Sequence, residues 1–323
     1  MNDTTSATLK HPDGRWNLKA LATSALKKYG LAVDYPDAVV QQVQGIVSRV
    51  RPDASTYEHP EDAKAPWVEN LTHLPFISVD NGTLWTEMDA ETLANDPEAN
   101  VSSKDIDQLQ YAEMLEDGRI RVMVAVSDVD AFVPQNSPLD HFMNRNTSSV
   151  YTPDQVFNLI PPELAEDIVS LNPREERIAT VVKFEISPNG AVDKSEVASA
   201  LVKSRVKLDY SSVGAWLEGR AEPSPAMLSQ GPELLDNLKL QLKASELLEI
   251  AQKRKGAIEF DRTEMRIITE QGNAIGLVES QDNVASEIVE NFMVTANRMV
   301  SEFLRSRGSV SYTHLTLPTI YSV

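Results

Sequence analysis

The sequence contains no cysteine in its 323 residues. This absence excludes disulfide bonds, a zinc–thiolate site and a cysteine nucleophile. The sequence also lacks an apolar run long enough to span a bilayer, and its first residues, MNDTTSATLKHPDG, lack the apolar core of a signal peptide. The sequence therefore predicts a cytoplasmic protein without a membrane segment.

Basic residues are scarce. Forty-eight acidic residues stand against 30 basic ones, for a net charge of −18. Because phosphate binding needs lysine and arginine, this composition alone argues against a nucleic-acid ligand. Net charge, however, governs solubility and long-range steering rather than one local groove. The basic clusters at residues 203–207, 253–255 and 305–307 are more typical of solvated faces than of binding sites.

Hydrophobic periodicity and turn residues predict a mixture of helices and β-hairpins. The helices are predicted over residues 18–29, 36–50, 232–255 and 284–305. One hairpin joins residues 108–115 to 119–126 through a tight two-residue turn at Asp117-Gly118. Two more are predicted at Asn189-Gly190 and at Gly272-Asn273.

Two aspartates, Asp105 and Asp107, lie at the entrance of the first hairpin. Residues two apart in an extended backbone point the same way, so both carboxylates can ligate one hard cation such as Mg²⁺ or Mn²⁺. Acidic pairs are also common at strand ends as solvated turn residues. On these residues alone, both interpretations stay open.

The surrounding sequence extends the argument through several blocks in order: SVDN, SSKDIDQ, VAVSDVDAFV, NTSSVYTPD, LIPPELAEDIVSLNP and ERIATVVKFEISPNGAV. From about Leu71 to Leu304 the chain thereby resembles the RNB catalytic domain of the ribonuclease II and ribonuclease R family. The resemblance implies an α/β (α+β) fold with a mixed, largely antiparallel sheet and surrounding helices. It also implies a 3′-to-5′ exoribonuclease that hydrolyses single-stranded RNA processively to 5′-mononucleotides with Mg²⁺ or Mn²⁺.

The resemblance implies a set of metal ligands as well. The family spacing of an aspartate, five residues and DxDD is restored when residues 82–100 are treated as an acidic insertion, which matches Asp80 to the first metal aspartate. Asp96 is a competing candidate at the wrong spacing. The implied ligands are Asp80, Asp105, Asp107 and Gln108, with Asp107 and Asp105 catalytic. Gln108 replaces a fourth aspartate and offers a carbonyl oxygen without a charge.

Three further residues match family positions that contact RNA: Tyr151 in SVYTPD, Phe260 in AIEFD and Glu290 in SEIVENF. The resemblance implies that Tyr151 touches the 3′-terminal nucleotide, that Phe260 stacks on a base and that Glu290 contacts the bound nucleotides. Taken singly, Tyr151 and Phe260 also suit core packing, and Glu290 suits a solvated helix face.

The chain is expected to have three parts. Residues 1–66 form a helical pair and a linker, and residues 67–308 form the RNB domain, which we expect to be incomplete at its C-terminal end. In residues 309–323 the run VSYTHLTLPT can be written as the translation of a sequencing adaptor. We expect read-through there, a longer natural protein with a catalytic arginine and an S1 barrel, and reduced activity of the chain as written.

A second functional hypothesis belongs to a different class. Gln108, the acidic insertion and the negative net charge favour a non-catalytic RNA-binding or interaction protein built on a degraded RNB fold. The sequence indicates no protein partner for either function.

Overall fold

The structure is a computed structural model that describes residues 16–53, 55–81, 104–152, 155–257, 264–270, 273–280 and 283–309. Its contacts divide the chain into two compact units. The first comprises Met1–Pro60, Val129–Val169 and Phe260–Gln281, and the second comprises Glu61–Asp128, Ser170–Glu259 and Asp282–Val323. The division predicted at residue 66 stays a prediction.

The described residues form both helices and strands. The helices are α1 (Leu18–Lys28), α2 (Asp37–Val50), α3 (Pro138–Asn146), α4 (Tyr210–Leu217), α5 (Pro225–Ser229), α6 (Pro232–Arg254) and α7 (Val284–Ser306), with a 3₁₀ turn at Glu61–Lys64 and a π turn at Leu164–Ile168. The strands are β1 (Glu69–Asn70), β2 (Phe76–Asp80), β3 (Gln108–Met114), β4 (Ile120–Ser127), β5 (Val150–Tyr151), β6 (Val156–Phe157), β7 (Glu176–Ile186), β8 (Val192–Asp209), β9 (Glu264–Glu270) and β10 (Asn273–Ser280). The four predicted helices are confirmed to within one residue at each end.

The second unit is built on a mixed sheet in the order β1-β8-β2-β3-β4-β7, and β7 also pairs with β8. Strand β8 can pair with both β7 and β2 because it is 18 residues long. Its first part is antiparallel to β7, and its last residues, Ser204 to Asp209, are parallel to β2. The pairs β2–β3, β3–β4 and β4–β7 are antiparallel. The predicted mixed, largely antiparallel sheet is therefore confirmed.

The sheet is buried on both faces, as β4 shows. Val122 and Val124 belong to the core under α6 and α7, together with Phe292. Met123 and Ala125 point to the opposite face and belong to a second core. Successive strand residues alternate between faces, so the continuous apolar run of β4 is what a strand covered on both sides requires.

The two long hairpins use three-residue loops, so the predicted two-residue turn at Asp117-Gly118 is wrong. Leu115 N donates to Arg119 O at 2.8 Å, and Gly118 N donates to Leu115 O at 3.0 Å. Gly118 has a φ of +82°, whereas the φ of Asp117 is negative. The loop is therefore a type I turn followed by a left-handed glycine. The loop before β8 repeats this arrangement, with Gly190 at a φ of +84°.

These two glycines form a matched pair for a test of stability. At Gly118 an added Cβ would meet nothing within 4 Å, whereas at Gly190 it would lie 2.1 Å from the carbonyl oxygen of Leu247 in α6. We expect Gly118→Ala to cost about 1 kcal/mol, for the left-handed backbone alone. Gly190→Ala should cost about 1 to 3 kcal/mol more because backbone must shift. Urea denaturation of both variants measures the difference, and equal free energies of unfolding would contradict the close approach.

In the first unit the N-terminal helical pair packs against the segment from Val129 to Val169. The buried face of α2 consists of Val39, Val43, Ile46 and Val50. Gln42 in α2 fixes the start of α3, since its Nε2 donates to Ser137 Oγ at 2.9 Å and its Oε1 accepts from Leu139 N at 2.9 Å. These contacts make the helical pair a packing element of the first unit.

The remaining hairpin of the first unit consists of β9 and β10, which are antiparallel with Asn273 opposite Glu270. The predicted hairpin is therefore present, although Gly272 lies outside the described residues. No helix in the described part of the chain is long and apolar enough to cross a membrane.

Candidate functional site

Acidic side chains meet where the central strands of the second unit end. Strand β2 is buried from Phe76 to Val79 and ends at the half-buried Asp80. On one side Asp80 is in register with Asp209 at the end of β8. On the other side β2 pairs with β3 through Ile77 opposite Gln110, and continuing that antiparallel register by three residues places Asp80 opposite Asp107.

The backbone around Asp107 is held from both directions. Ile106 N donates to Ser170 Oγ at 2.9 Å, and Ile106 O accepts from Leu171 N at 2.9 Å. Asp107 O accepts from Ser127 N at 2.9 Å. Ile106 is only 1% exposed, so its neighbours Asp105 and Asp107 face away from the core, as the spacing predicts.

The carboxylates are close enough to perturb one another. The pKa of Asp107 is raised to about 6, first by the loss of hydration where protein atoms crowd it and then by the charges of Asp105 and Asp80. Asp107 nevertheless keeps access to solvent. A raised carboxyl pKa means that the negative form is disfavoured, here by lost hydration first and by the neighbouring like charges second.

The donor types suit a hard cation, because three carboxylates and the amide of Gln108 offer only oxygen ligands. Gln108 is the first residue of β3 and half-buried. In the described residues, however, no three His, Asp or Glu side chains are gathered into a ligand set. One oxygen of Asp80, Oδ1, instead accepts from Asn81 N at 2.7 Å. The donor chemistry therefore fits a metal, and the side chains must turn to complete its coordination.

Two neighbours of Asp80 escaped the sequence analysis. Asp209 is buried and caps α4, where its Oδ1 accepts from Ser212 N at 2.7 Å and its Oδ2 accepts from the Ser212 hydroxyl. Tyr210 follows it, and the pKa of its phenol is raised to about 12 by burial and then by the charge of Asp80. The Asp-x-x-Ser spacing is a recognisable N-cap signal, but only the parallel pairing of β2 and β8 brings it beside Asp80.

The predicted RNA contacts fall in different parts of the chain. Tyr151 lies in β5 of the first unit with 71% of its surface exposed, so core packing is the wrong interpretation of this residue. Glu290 is exposed on α7 in the second unit. Phe260 and the competing ligand Asp96 lie outside the described residues.

Residues 99–318 match the RNB domain, so the chain belongs to the RNB domain family. The predicted family and fold are confirmed by this match. The match begins after Asp80, whose assignment as a ligand stays a prediction, as do the other site residues.

Known relatives and solved structures agree with this placement. Ribonuclease R 1 of Lactococcus lactis subsp. lactis is 32% identical over 222 residues, which are 68% of this chain and 26% of that protein. Ribonuclease R of Mycoplasma pneumoniae is 28% identical over 287 residues, covering 88% of this chain and 34% of that protein. A structure of Mycoplasma genitalium RNase R with ribose-methylated single-stranded RNA shares the fold at a TM-score of 0.75 and 21% identity, over 90% of this chain and 40% of that one. The chain thus spans about a quarter to a third of the length of the curated relatives it matches.

Proposed function

We propose that the protein containing this chain is a 3′-to-5′ exoribonuclease that degrades single-stranded RNA processively to 5′-mononucleotides with Mg²⁺ or Mn²⁺. The observation that carries the proposal is the crowding of Asp80, Asp105 and Asp107 in a chain of the RNB family. The relatives named ribonuclease R support a ribonuclease activity. Polarity, processivity and product come from the family resemblance.

Four side chains at the strand ends would bind the divalent cation. Asp80, Asp105, Asp107 and the amide oxygen of Gln108 would hold the cation. A bound divalent cation would promote in-line attack of water on phosphorus and neutralise charge on the leaving 3′-oxygen. The backbone hydrogen bonds of Ile106 and Asp107 hold the main chain that carries the two carboxylates, so only their side chains would need to turn toward a cation.

The RNA would be gripped by its bases and by its end. By family position, Tyr151, which is 71% exposed, would contact the 3′-terminal nucleotide. Stacking on an aromatic ring contributes about 1–3 kcal/mol per base and accepts every base, which suits an enzyme without sequence preference. By family position, Phe260 would stack on a second base and Glu290 would contact the terminal nucleotides.

A non-catalytic RNA-binding or interaction protein on a degraded RNB fold is the second candidate. Gln108 brings no charge where the family has an aspartate, and the carboxylates of the described residues do not form a complete ligand set. Both observations favour weak metal binding. The two candidates differ in chemistry but share RNA binding.

Release of mononucleotides separates the two candidates. We expect the protein that contains this chain to shorten a 5′-labelled single-stranded RNA from its 3′ end in Mg²⁺, with 5′-monophosphates as products. In EDTA the same protein should bind the RNA without cleaving it. Binding without any release in Mg²⁺ or Mn²⁺ would establish the non-catalytic candidate, and internal cleavage would contradict the exonuclease.

A further inference from the structure

A basic cavity lies in the second unit at the start of β2. It encloses about 350 Å³ and is lined by Arg174, Lys203 and Arg205 together with the segment from Thr72 to Pro75. None of the described residues that line it is acidic. In a chain with a net charge of −18, a concave surface with three cationic side chains and no lining carboxylate points to an anionic ligand.

This cavity is separate from the carboxylate site. Ser204 is in register with Phe76 at the start of β2, whereas Asp209 is in register with Asp80 at its end. Four residues of extended strand span about 13 Å. The cavity and the carboxylates thus occupy opposite ends of the same two strands.

The guanidinium of Arg205 is oriented by its neighbours. Its Nε donates to Gln230 Oε1 at 3.1 Å, and one terminal nitrogen donates to Gln230 O at 2.8 Å. The other terminal nitrogen is 3.8 Å from a carboxylate oxygen of Glu233, whose side chain is 84% exposed. Such a long, solvated ion pair contributes little. Arg205 is therefore held in place with a donor that an anion can use.

Lys203 lines the same cavity as Arg205, two residues away along β8. Its ion pair with Glu176 is also long, at 3.9 Å, and both side chains are more than 40% exposed. An entering anion can replace this carboxylate at small cost.

Arg174 completes the cavity from a strained position. Its φ is +67°, a left-handed conformation that costs a residue with a Cβ about 1 kcal/mol or more. Its backbone N donates to Ser204 O at 2.7 Å, which fixes the loop against β8. Glycine would occupy this backbone more easily than arginine.

We propose that this basic cavity binds a phosphate group, and that the source is the phosphodiester backbone of an RNA strand. Two guanidinium groups and one ammonium match phosphate in charge and in hydrogen-bond donors. The volume falls in the range of ligand pockets, about 300–1,000 Å³. The choice of an RNA strand rests on the proposed function, while the phosphate chemistry rests on the cavity itself. A free nucleotide offers the same group and is the other possible source.

The test measures binding in EDTA, where hydrolysis plays no part. A fluorescein-labelled oligoadenylate reports the affinity of the whole chain by anisotropy. Lys203→Gln and Arg205→Gln should each weaken binding about tenfold, the loss of one charge-assisted contact. Each should also reduce the slope of log affinity against log salt by about 0.7. Lys243→Gln removes the same charge from an exposed position on α6 and should leave both quantities unchanged.

Arg174→Gly separates a binding role from a structural one. Glycine relieves the left-handed backbone, so the melting temperature should stay constant or rise while RNA affinity falls about tenfold. A fall in melting temperature with unchanged affinity would overturn the proposal. Arg205→Lys should restore part of the affinity lost in Arg205→Gln, because it keeps the charge.

The source of the phosphate is decided by competition with AMP. If AMP displaces the oligoadenylate only at concentrations far above that of the oligoadenylate, the RNA strand is supported as the ligand. Displacement by AMP that is abolished in Lys203→Gln supports the same phosphate site with a free nucleotide as its occupant. Wild-type affinity in all cavity variants, or binding of neither probe by the wild-type chain, would overturn the proposal. Failure of the exonuclease proposal is seen separately, as RNA binding through the cavity without mononucleotide release in Mg²⁺.

Discussion

Replacement of Asp107 by asparagine should reduce mononucleotide release at least about a thousandfold while RNA affinity stays constant or rises slightly. Asparagine keeps the shape of the side chain but removes one charge and one strong ligand. The loss should fall mainly on the transition state, where charge develops at phosphorus and on the leaving oxygen. Binding should not suffer, because Asp107 is one of three crowded carboxylates that repel phosphate.

The matched control is Asp236→Asn, which removes the same charge from an exposed position on α6 in the same unit. It should cleave RNA like the wild type. Single-turnover release and anisotropy in Mg²⁺ measure the two effects separately. Near-normal cleavage by Asp107→Asn would contradict the proposed mechanism. A loss of RNA affinity as large as the loss of cleavage would mean that Asp107 has a structural role.

The local elements of this fold could be predicted because their signals are local. Gly30 and Gly256 follow helices as residues with positive φ, and Gly118 and Gly190 provide the same conformation in hairpin loops. What the sequence did not show was the path of β8. Its first part pairs with β7 and its last residues pair with β2, and no local pattern specifies the strand to which a segment turns.

The candidate site divides in the same way. The alternation of Asp105, Ile106 and Asp107 follows from strand periodicity and is present in the structure. The proximity of Asp80 depends on the register of β2 with β3 across residues 82–100, so only the family resemblance suggested it. Tyr210 was missed for the same reason, since it reaches Asp80 through the pairing of β2 with β8.

The basic residues of β8 show how composition can mislead. Lys203 and Arg205 belong to a cluster that charge patterning assigns to a solvated face. In the structure both are half-buried and line one cavity with Arg174, which is remote in sequence. The cavity is lined by segments that are far apart in the sequence and meet only in the fold. The basic residues can therefore be recognised in the sequence, but their meeting in one cavity cannot.

Asp80→Asn should reduce mononucleotide release at least about a hundredfold at low Mg²⁺, and added Mg²⁺ should recover part of the loss. The reason is that Asp80 is one of the two carboxylates whose charge raises the pKa of Asp107, so it lies where a shared cation would bind. Loss of a residue that hydrogen-bonds to a metal ligand weakens metal affinity by about 10–100-fold. Loss of a direct ligand should weaken it at least as much. The readout is the Mg²⁺ concentration at half-maximal rate, which should move upward for this variant.

Asp96→Asn is the decisive comparison, because Asp96 is the competing candidate and lies in the acidic insertion. If Asp80 is the ligand, Asp96→Asn should keep both the rate and the Mg²⁺ midpoint of the wild type. A shifted midpoint in Asp96→Asn with a normal one in Asp80→Asn would move the metal site into the insertion. Both variants lower the net negative charge by one, so the change in overall charge is the same in both. A Mg²⁺ midpoint that moves only in Asp80→Asn would therefore report the local position of Asp80 beside the metal site.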